Sequence, residues 1–296
     1  MKRFVLSFPP SPEGMIRLYE SDFHYLVHVR RLRAGMNFDA VLPDGTETRV
    51  RILSTVDNIL IGECLTPGHV PSEQVPFGKR PSSIPPIALF RGLPKGNKMD
   101  LIVRQAAEGG VSLVAPFGSE YSAVRLTNTS AEPDRVPSEH VLKVKRWERI
   151  VREARQQSGS AVETVVRPPV GFDTLLEYWE SLKKEYRRPL GILFHQEPLE
   201  TPTGQSEASE KRGSPLAKGT FHDYLGEESD FVAMAVGPEG GFSPREVLRF
   251  LAAGFNPLLM GNTILRTETA ALYGTAAIRI ILLESESWTP RLKGGL

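Results

Sequence analysis

Short runs in which hydrophobic and polar residues alternate fill the amino-terminal part of the chain, and turn residues separate them. Alternation with a period of two is typical of strands that bury one face. The predicted strands are Arg3 to Phe8, Phe38 to Leu42, Thr48 to Leu53 and Ile59 to Cys64. Asp44 and Gly45 form a hairpin signal between the second and third runs. A helical pattern over Asp22 to Arg33, with Asp22 as its cap, completes a predicted small β-barrel over residues 1–70.

The hydrophobic runs after residue 86 are continuous rather than alternating, and most of them precede a segment with helical periodicity. Such runs are typical of parallel strands that helices cover on both faces. The predicted strands are Ile87 to Phe90, Val111 to Pro116, Gly191 to Phe194, Phe231 to Val236 and Pro257 to Met260. The predicted helices are Asp100 to Glu108, Val141 to Gln157, Pro244 to Ala253 and Thr267 to Leu283. Residues 87–296 are therefore predicted to form an α/β domain.

Two segments lack the hydrophobic side chains that a packed element needs. The first is rich in proline from Pro67 to Pro86, and its composition predicts a linker over residues 71–86. The second, residues 198–219, has almost no apolar side chains and cannot offset the entropy of ordering. We therefore expect a mobile surface insertion there.

The overall composition is that of a globular protein without a strong net charge. The 296 residues include 36 Lys and Arg against 35 Asp and Glu, so any basic surface has to be local. The single cysteine, Cys64, excludes an internal disulfide and a thiolate-rich metal site, and the pair His24 and His28 lacks a third ligand. No apolar stretch has the length of a membrane span, and the first residues do not resemble a secretion signal. We expect a cytoplasmic protein that binds neither metal nor membrane.

The loops at the carboxyl ends of parallel strands are where α/β proteins bind ligands, and the loop after Val236 is the most informative. It contains the glycine turn, Gly237-Pro238-Glu239-Gly240-Gly241, which allows the backbone to approach a ligand closely. Ser243 and Glu246 then form the S-x-x-E capping box of a helix. A plain turn between a strand and a helix would explain the same pattern. The sequence has no dinucleotide-binding or P-loop fingerprint.

The loop from Gly261 to Ala270 concentrates polar side chains at the start of the last predicted helix. Burying residues such as Arg266 and Glu268 is costly unless they are paired or serve a function. In one alternative, Thr267 caps the helix while Glu268 favours its positively charged end, but Arg266 is then unexplained. A third strand-end loop begins at Phe194 and His195, where the histidine either lines a pocket or has a structural role.

Basic residues cluster in two parts of the sequence. Between Lys143 and Arg155 there are six basic and two acidic residues, along a helix whose other side is apolar. The second surplus lies near the amino terminus and includes Arg3, Arg30, Arg31 and Arg33. Each cluster is compatible with a solvated surface, whereas the two together favour one extended anionic partner such as RNA.

Five motifs are distributed over nearly the whole chain. They are HYLVHVRRLRAG at His24 to Gly35, LPKGNKMD at Leu93 to Asp100, RWERIVREARQQSG at Arg146 to Gly159, GPEGGFS at Gly237 to Ser243 and ILRTETA at Ile264 to Ala270. Together they resemble the RsmE family of ribosomal RNA small subunit methyltransferases, a group within the SPOUT superfamily. The last two motifs in this order are the most specific part of the resemblance.

The resemblance implies an amino-terminal PUA-like RNA-binding β-barrel followed by a SPOUT α/β domain with a carboxyl-terminal trefoil knot. It also implies a homodimer that uses S-adenosylmethionine to methylate N3 of a uridine in 16S rRNA of the small ribosomal subunit. The residues expected to contact the RNA are Arg3, Arg30, Arg31, Arg33, Lys95, Lys98, Arg146, Arg149 and Arg152.

Carried over by position, the cofactor-binding residues come from the three strand-end loops. They are Phe194, His195, Gly237, Pro238, Glu239, Gly240, Gly241, Leu259, Gly261, Ile264, Leu265, Arg266, Thr269 and Ala270. The expected catalytic residues are Arg266 and Glu268. We hypothesise that Arg266 stabilises negative charge on a uracil oxygen, while Glu268 fixes that arginine or relays the proton.

Two positions depart from the family pattern. Thr263 and Ser160 stand where family members commonly have arginine, which removes positive charge from places expected to face RNA or the active site. Two alternatives therefore stay open. One is a noncatalytic RNA-binding factor in ribosome assembly, and the other is a SPOUT enzyme with a different RNA target.

Overall fold

The computed structural model describes residues 3–43, 46–65, 84–122, 138–195, 221–225, 229–259 and 263–287. Its contacts divide the chain into two compact units, Met1–Ser82 with Glu153–Glu163, and Ser83–Arg152 with Thr164–Leu296. Most of the predicted linker and all of the predicted insertion lie outside the described residues. Within the described part, no helix is long and apolar enough to cross a bilayer.

The first unit is built on a five-stranded sheet. Its elements are β1 (Phe4–Val5), β2 (Met15–Leu18), α1 (Glu20–Phe23), a π-helical turn (His24–Val29), β3 (Asn37–Val41), β4 (Glu47–Val56) and β5 (Ile59–Cys64). The strand order is β1-β3-β4-β5-β2, and all pairs are antiparallel except β1 with β3. In β4 the side chains of Thr48, Val50 and Ile52 are buried and alternate with exposed ones. The period-two pattern of the sequence thus gives this strand one buried face.

The helical segment of this unit differs from the helix predicted over Asp22 to Arg33. The segment begins at Glu20, Asp22 does not cap it, and the π-helical turn replaces most of the expected α-helix. Arg31 follows with a φ of 57°, outside the helical region. A wider turn keeps the same hydrophobic residues on roughly one side, so their spacing did not distinguish it from an α-helix. The prediction also missed β2, which is only four residues long.

A parallel sheet forms the second unit. Its strands are β6 (Ile87–Gly92), β7 (Leu113–Gly118), β8 (Val165–Val166), β9 (Val170–Gly171), β10 (Pro189–His195), β11 (Phe231–Val236) and β12 (Phe255–Leu259). Its helices are α2 (Lys98–Glu108), α3 (Ser138–Ser158, whose last turn belongs to the first unit), α4 (Phe172–Glu185), α5 (Phe221–Leu225), α6 (Pro244–Ala252) and α7 (Thr267–Ser287). The strand order is β12-β10-β11-β6-β7-β8, with β9 beside β7. The predicted parallel α/β fold is therefore confirmed.

Helices cover both faces of this sheet. Phe231 and Ala233 of β11 point into a core cluster that also contains Trp179 of α4. Successive side chains of a strand point to opposite faces, so Met234 lies on the other face, against Gly274 of α7. A Cβ at Gly274 would overlap both Met234 and the ring of Phe194, so the missing side chain allows α7 to approach the sheet.

Sequence reasoning missed α4, although its pattern is clear in retrospect. Leu175, Trp179 and Leu182 follow the spacing of one helical face, and all three are buried. The indole nitrogen of Trp179 donates a hydrogen bond to the carbonyl oxygen of Ala253 at 2.9 Å, which connects α4 to the end of α6.

Candidate functional site

A cavity of about 360 Å³ opens at the carboxyl end of the parallel sheet, within the second unit. The residues that line it are Lys98, Phe194, His195, Val236, Gly237, Pro238, Glu239, Thr263, Ile264, Leu265, Arg266, Thr267, Glu268 and Ala270. The volume lies in the range of small-molecule and cofactor pockets. Residues of all three strand-end loops identified in the sequence therefore lie around one space.

Four of the predicted cofactor residues do not line this cavity: Gly240, Gly241, Leu259 and Thr269. A Cβ on Gly240 would lie 2.9 Å from the Cβ of Tyr121, so packing within the protein, rather than the approach of a ligand, requires glycine there. Gly241 has a φ of 70°, which its role in closing the turn explains. Gly261 lies outside the described residues.

The glycine turn is held in place by the predicted capping box. The hydroxyl of Ser243 accepts a hydrogen bond from the amide of Glu246 at 3.2 Å, and the amide of Ser243 donates to the Glu246 carboxylate at 2.9 Å. The same carboxylate accepts hydrogen bonds from the hydroxyl of Ser119 at 3.0 Å and the amide of Glu120 at 2.9 Å. Glu246 thus connects the loop after β7 to the turn after β11, a second role that the capping motif did not reveal.

An arginine that the sequence analysis did not single out lies beside this turn. Arg91, in β6, is 0% exposed. Its Nη1 donates to the carbonyl oxygen of Val236 at 2.9 Å and to that of Gly237, and its Nη2 donates to the hydroxyl oxygen of Thr267. Burial lowers the pKa of Arg91 to about 10, so its guanidinium stays charged at neutral pH. The available signal was one charged residue in the otherwise apolar run IALFRG.

Thr267 is the first residue of α7 rather than its cap. Its hydroxyl donates to the carbonyl oxygen of Gly237 at 2.7 Å and accepts from Arg91. The alternative in which Thr267 serves only as a helix cap is therefore wrong, because its side chain connects α7 to the glycine turn.

Three charged side chains meet at the rim of the cavity. The ammonium of Lys98 lies 2.7 Å from a carboxylate oxygen of Glu239 and 3.6 Å from one of Glu268. Both oxygens of Glu239 also accept from the amide of Lys95, at 3.2 Å each. Burial by itself raises the pKa of Glu239, but the hydrogen bonds from Lys98 and the backbone outweigh it, so the pKa lies below its ordinary value. The carboxylate of Glu239 thus stabilises the loop after β6 through its hydrogen bonds.

The two residues predicted to be catalytic both lie on the cavity. Glu268 lies 3.6 Å from Lys98, and the described residues show no ion pair between Glu268 and Arg266, so the hypothesis that Glu268 fixes that arginine or relays the proton stays a prediction. Oxygen Oε2 of Glu268 is buried and has no hydrogen-bond partner among the described residues. Arg266 is exposed, and no side chain in the described part of the chain pairs with its guanidinium.

Part of the lining of the cavity is apolar. Phe194, at the end of β10, is 7% exposed and packs edge-on against Phe221 of α5, with the ring centres 5.8 Å apart. Ile264 is 80% exposed, although it lines the cavity. The cavity therefore combines an apolar side with a charged side.

The basic residues predicted to contact RNA in the first unit are mostly exposed. Arg31 and Arg33 are exposed, and Arg3 forms an ion pair with Glu47 at 2.9 Å. Arg30 is half-buried, and its Nη1 has no partner among the described residues. These side chains are available to an anionic ligand because, apart from Arg30, they are largely solvated.

In the second unit the predicted RNA contacts are exposed apart from Lys98, which is half-buried at the rim of the cavity. The exposed ones are Lys95, Arg146, Arg149 and Arg152, and Arg146 forms an ion pair with Asp100. Among the residues that the structure describes, no cluster of three or more His, Cys, Asp or Glu could hold a metal ion.

Comparison with known proteins shows similarity over most of the chain. A family model described as an RNA methyltransferase domain matches residues 80–279. A relative from Borreliella burgdorferi, ribosomal RNA small subunit methyltransferase E 2, is 26% identical over 260 residues, which are 88% of either chain. Ribosomal RNA small subunit methyltransferase E from Bacillus subtilis is 26% identical over 87% of this chain and 86% of its own. The crystal structure of the enzyme of that name from Neisseria gonorrhoeae, bound to S-adenosyl methionine, has a TM-score of 0.66 and 23% identity, and the match covers 95% of this chain and 98% of that one.

Proposed function

The chain belongs to the RNA methyltransferase family, and on that premise we propose that it uses S-adenosylmethionine to methylate N3 of a uridine in 16S rRNA. The resemblance of its sequence to the RsmE family is confirmed, because curated relatives with that name align with most of the chain. The proposed substrate is the small ribosomal subunit in the cytoplasm.

The cavity fits a methyl donor of this chemical class. Phe194, Val236 and Ile264 supply apolar surface for an adenine ring, while the carboxylate of Glu268 favours the cationic groups of the donor. When bound, S-adenosylmethionine supplies an electrophilic methyl group. The protein then has to orient the acceptor base and exclude water.

One observation carries the proposal: an arginine without a described partner and a carboxylate oxygen without a hydrogen bond lie on the same cavity. Arg266 stabilises the negative charge that develops on a uracil oxygen when N3 loses its proton. Glu268, whose Oε2 lies 3.6 Å from the ammonium of Lys98, accepts that proton. The reaction needs these two groups and a bound donor, and the described part of the cavity contains both groups.

The first unit is proposed to be the PUA-like RNA-binding module. Its five-stranded sheet supports this assignment, as do the exposed Arg31 and Arg33 next to the π-helical turn. Such a module binds phosphates through side chains that remain solvated until the RNA arrives. The target uridine has to be single-stranded or flipped out, because N3 is otherwise engaged in base pairing.

A carboxyl-terminal trefoil knot and a homodimer also belong to the proposal. The strand order supports the knot, since β10 lies between β11 and β12 near one edge of the sheet. The carboxyl ends of β10 and β11 open onto the cavity. Exposed hydrophobic side chains of α7 support the homodimer, because a second copy would remove them from water. They are Leu272, Tyr273, Ile280 and Leu283.

A methylation assay on small ribosomal subunits that lack the modification tests the proposal, together with mapping of the methylated nucleoside. The expected product is N3-methyluridine at one position of 16S rRNA. Donor binding in calorimetry without methyl transfer would favour the noncatalytic assembly factor, which is compatible with Thr263 on the cavity where family members commonly have arginine. Methylation of a different nucleotide would favour an enzyme with another RNA target.

A further inference from the structure

A fully buried arginine needs an explanation, because removing a guanidinium from water is costly unless its donors are satisfied. Arg91 is 0% exposed, and its two terminal nitrogens donate to two carbonyl oxygens and one hydroxyl. Its Nε has no partner among the described residues. A hydrophobic residue at this position of a parallel strand would cost less free energy to bury. The hydrogen bonds that Arg91 makes therefore indicate its role.

These hydrogen bonds form a closed network of three groups. Arg91 donates to both the Gly237 carbonyl oxygen and the Thr267 hydroxyl oxygen, and the Thr267 hydroxyl donates to Gly237 at 2.7 Å. We call this the Arg91–Gly237–Thr267 network. It joins the exit of β11 to the first residue of α7, and those two elements supply two walls of the cavity.

The end of β6 packs closely against the glycine turn. A Cβ at Gly92 would lie 2.7 Å from Cδ of Pro238 and 2.9 Å from its backbone nitrogen, so only glycine allows this approach of the strand to the turn. Arg91 precedes this close contact, and its planar guanidinium presents donors in fixed directions.

We propose that Arg91 is a positioning residue that sets the separation of the glycine turn and α7 and thereby the affinity for the methyl donor. The proposal rests on the proposed function, since it assigns the cavity to that donor. Arg91 does not line the cavity, so it acts through Gly237 and Thr267 rather than on the ligand.

Arg91→Met and Arg91→Lys, compared with the intact chain by calorimetry against S-adenosylmethionine, test this role. Loss of hydrogen bonds from a charged group predicts a dissociation constant about 10- to 100-fold higher for Arg91→Met. Lys keeps the charge and one donor, so Arg91→Lys should recover part of the affinity. In rRNA methylation, KM for the donor should rise in Arg91→Met while KM for the RNA stays unchanged. Leu182→Ala, a core change in α4 away from the cavity, is the control for general destabilisation.

Hydrogen exchange of the free protein separates this proposal from the proposed function. Faster exchange in the glycine turn and the first turn of α7 is expected for Arg91→Met, but not for Leu182→Ala. If the intact chain binds no donor, the proposed function fails. The comparison of hydrogen-exchange rates between Arg91→Met and Leu182→Ala then still tests whether Arg91 positions the glycine turn and α7. Thr267→Val removes the shared hydroxyl with little change in shape and serves if Arg91→Met does not fold. Unchanged exchange and donor affinity in Thr267→Val and in every folded Arg91 variant would overturn the proposal.

Discussion

Arginines of the two units differ in how far they are withdrawn from water. Arg91 of the second unit is withdrawn from water, and backbone and hydroxyl oxygens of the protein satisfy its terminal nitrogens. Arg31 and Arg33 of the first unit are exposed. An arginine whose terminal nitrogens already donate to oxygens of the protein is able to fix the geometry of the residues around it but not to bind a phosphate. A solvated arginine is able to exchange its water and counterions for the phosphates of RNA.

Arg266 lies between these extremes. It is exposed like Arg31, yet it lies on the cavity that Arg91 helps to shape. Burial thus follows the three roles proposed for these arginines: positioning the cavity, acting on the substrate, and binding the RNA backbone. Four predictions test these proposals and the cavity that they concern, in order of expected effect.

The largest effect is expected from Arg266→Ala. Removing one group that stabilises developing negative charge lowers kcat by about 10²- to 10³-fold in other enzymes. Methylation of small subunits at saturating donor should show this loss, while calorimetry should show donor affinity close to that of the intact chain. Arg245→Ala, an exposed arginine on α6, is the matched control. Normal turnover in Arg266→Ala would remove this residue from the mechanism.

Gly274→Ala tests the packing of buried residues in the second unit. Alanine normally favours a helix over glycine, but here the added Cβ would overlap the ring of Phe194. We expect a loss of about 1–3 kcal/mol in the free energy of unfolding, together with weaker donor binding. Chemical denaturation and calorimetry measure the two effects. The double variant Gly274→Ala/Phe194→Leu should recover stability, and a stabilised single variant would show that α7 is not packed as described.

Arg31→Gln and Arg33→Gln test the RNA contacts proposed for the exposed arginines of the first unit. Each should weaken rRNA binding by roughly fivefold and lower the salt dependence of log affinity by about one unit per lost phosphate contact. Donor affinity should not change. Filter binding at several salt concentrations measures this, with the exposed Arg187→Gln of the second unit as control. An unchanged salt dependence in both variants would contradict the assignment of RNA contacts to this turn.

The smallest effect is expected from Glu239→Gln, which concerns the charged rim. Since the folded state holds the pKa of Glu239 below its ordinary value, this group contributes stability above its ordinary pKa. That contribution disappears as the pH falls through the lowered value. The difference in melting temperature between the intact chain and Glu239→Gln should therefore shrink in acid. Glu177→Gln, at an exposed position of α4, should show no such trend, and a difference that grows in acid would be inconsistent with the ion pair to Lys98.

Local patterns in the sequence predicted those elements that are defined by one buried face of a strand or by a single turn of the backbone. The alternation in β4 and the capping box at Ser243 and Glu246 are of this kind, because all the groups involved are neighbours along the chain. The motifs at Gly237 and Ile264 also indicated the family. Sequence reasoning did not separate Gly240, which packs on Tyr121, from Gly237, which lines the cavity.

The sequence by itself determined the two kinds of sheet, the α/β class of the second unit and the family, since periodicity and short motifs are local properties. Only the tertiary structure decided which polar groups meet. Arg91 and Val236 are 145 positions apart and come together because β6 and β11 are neighbouring strands. Glu268 of α7 likewise lies 3.6 Å from Lys98, the first residue of α2. Hydrogen bonds and ion pairs depend on distances of a few ångströms, and strand order, which no local pattern encodes, sets those distances.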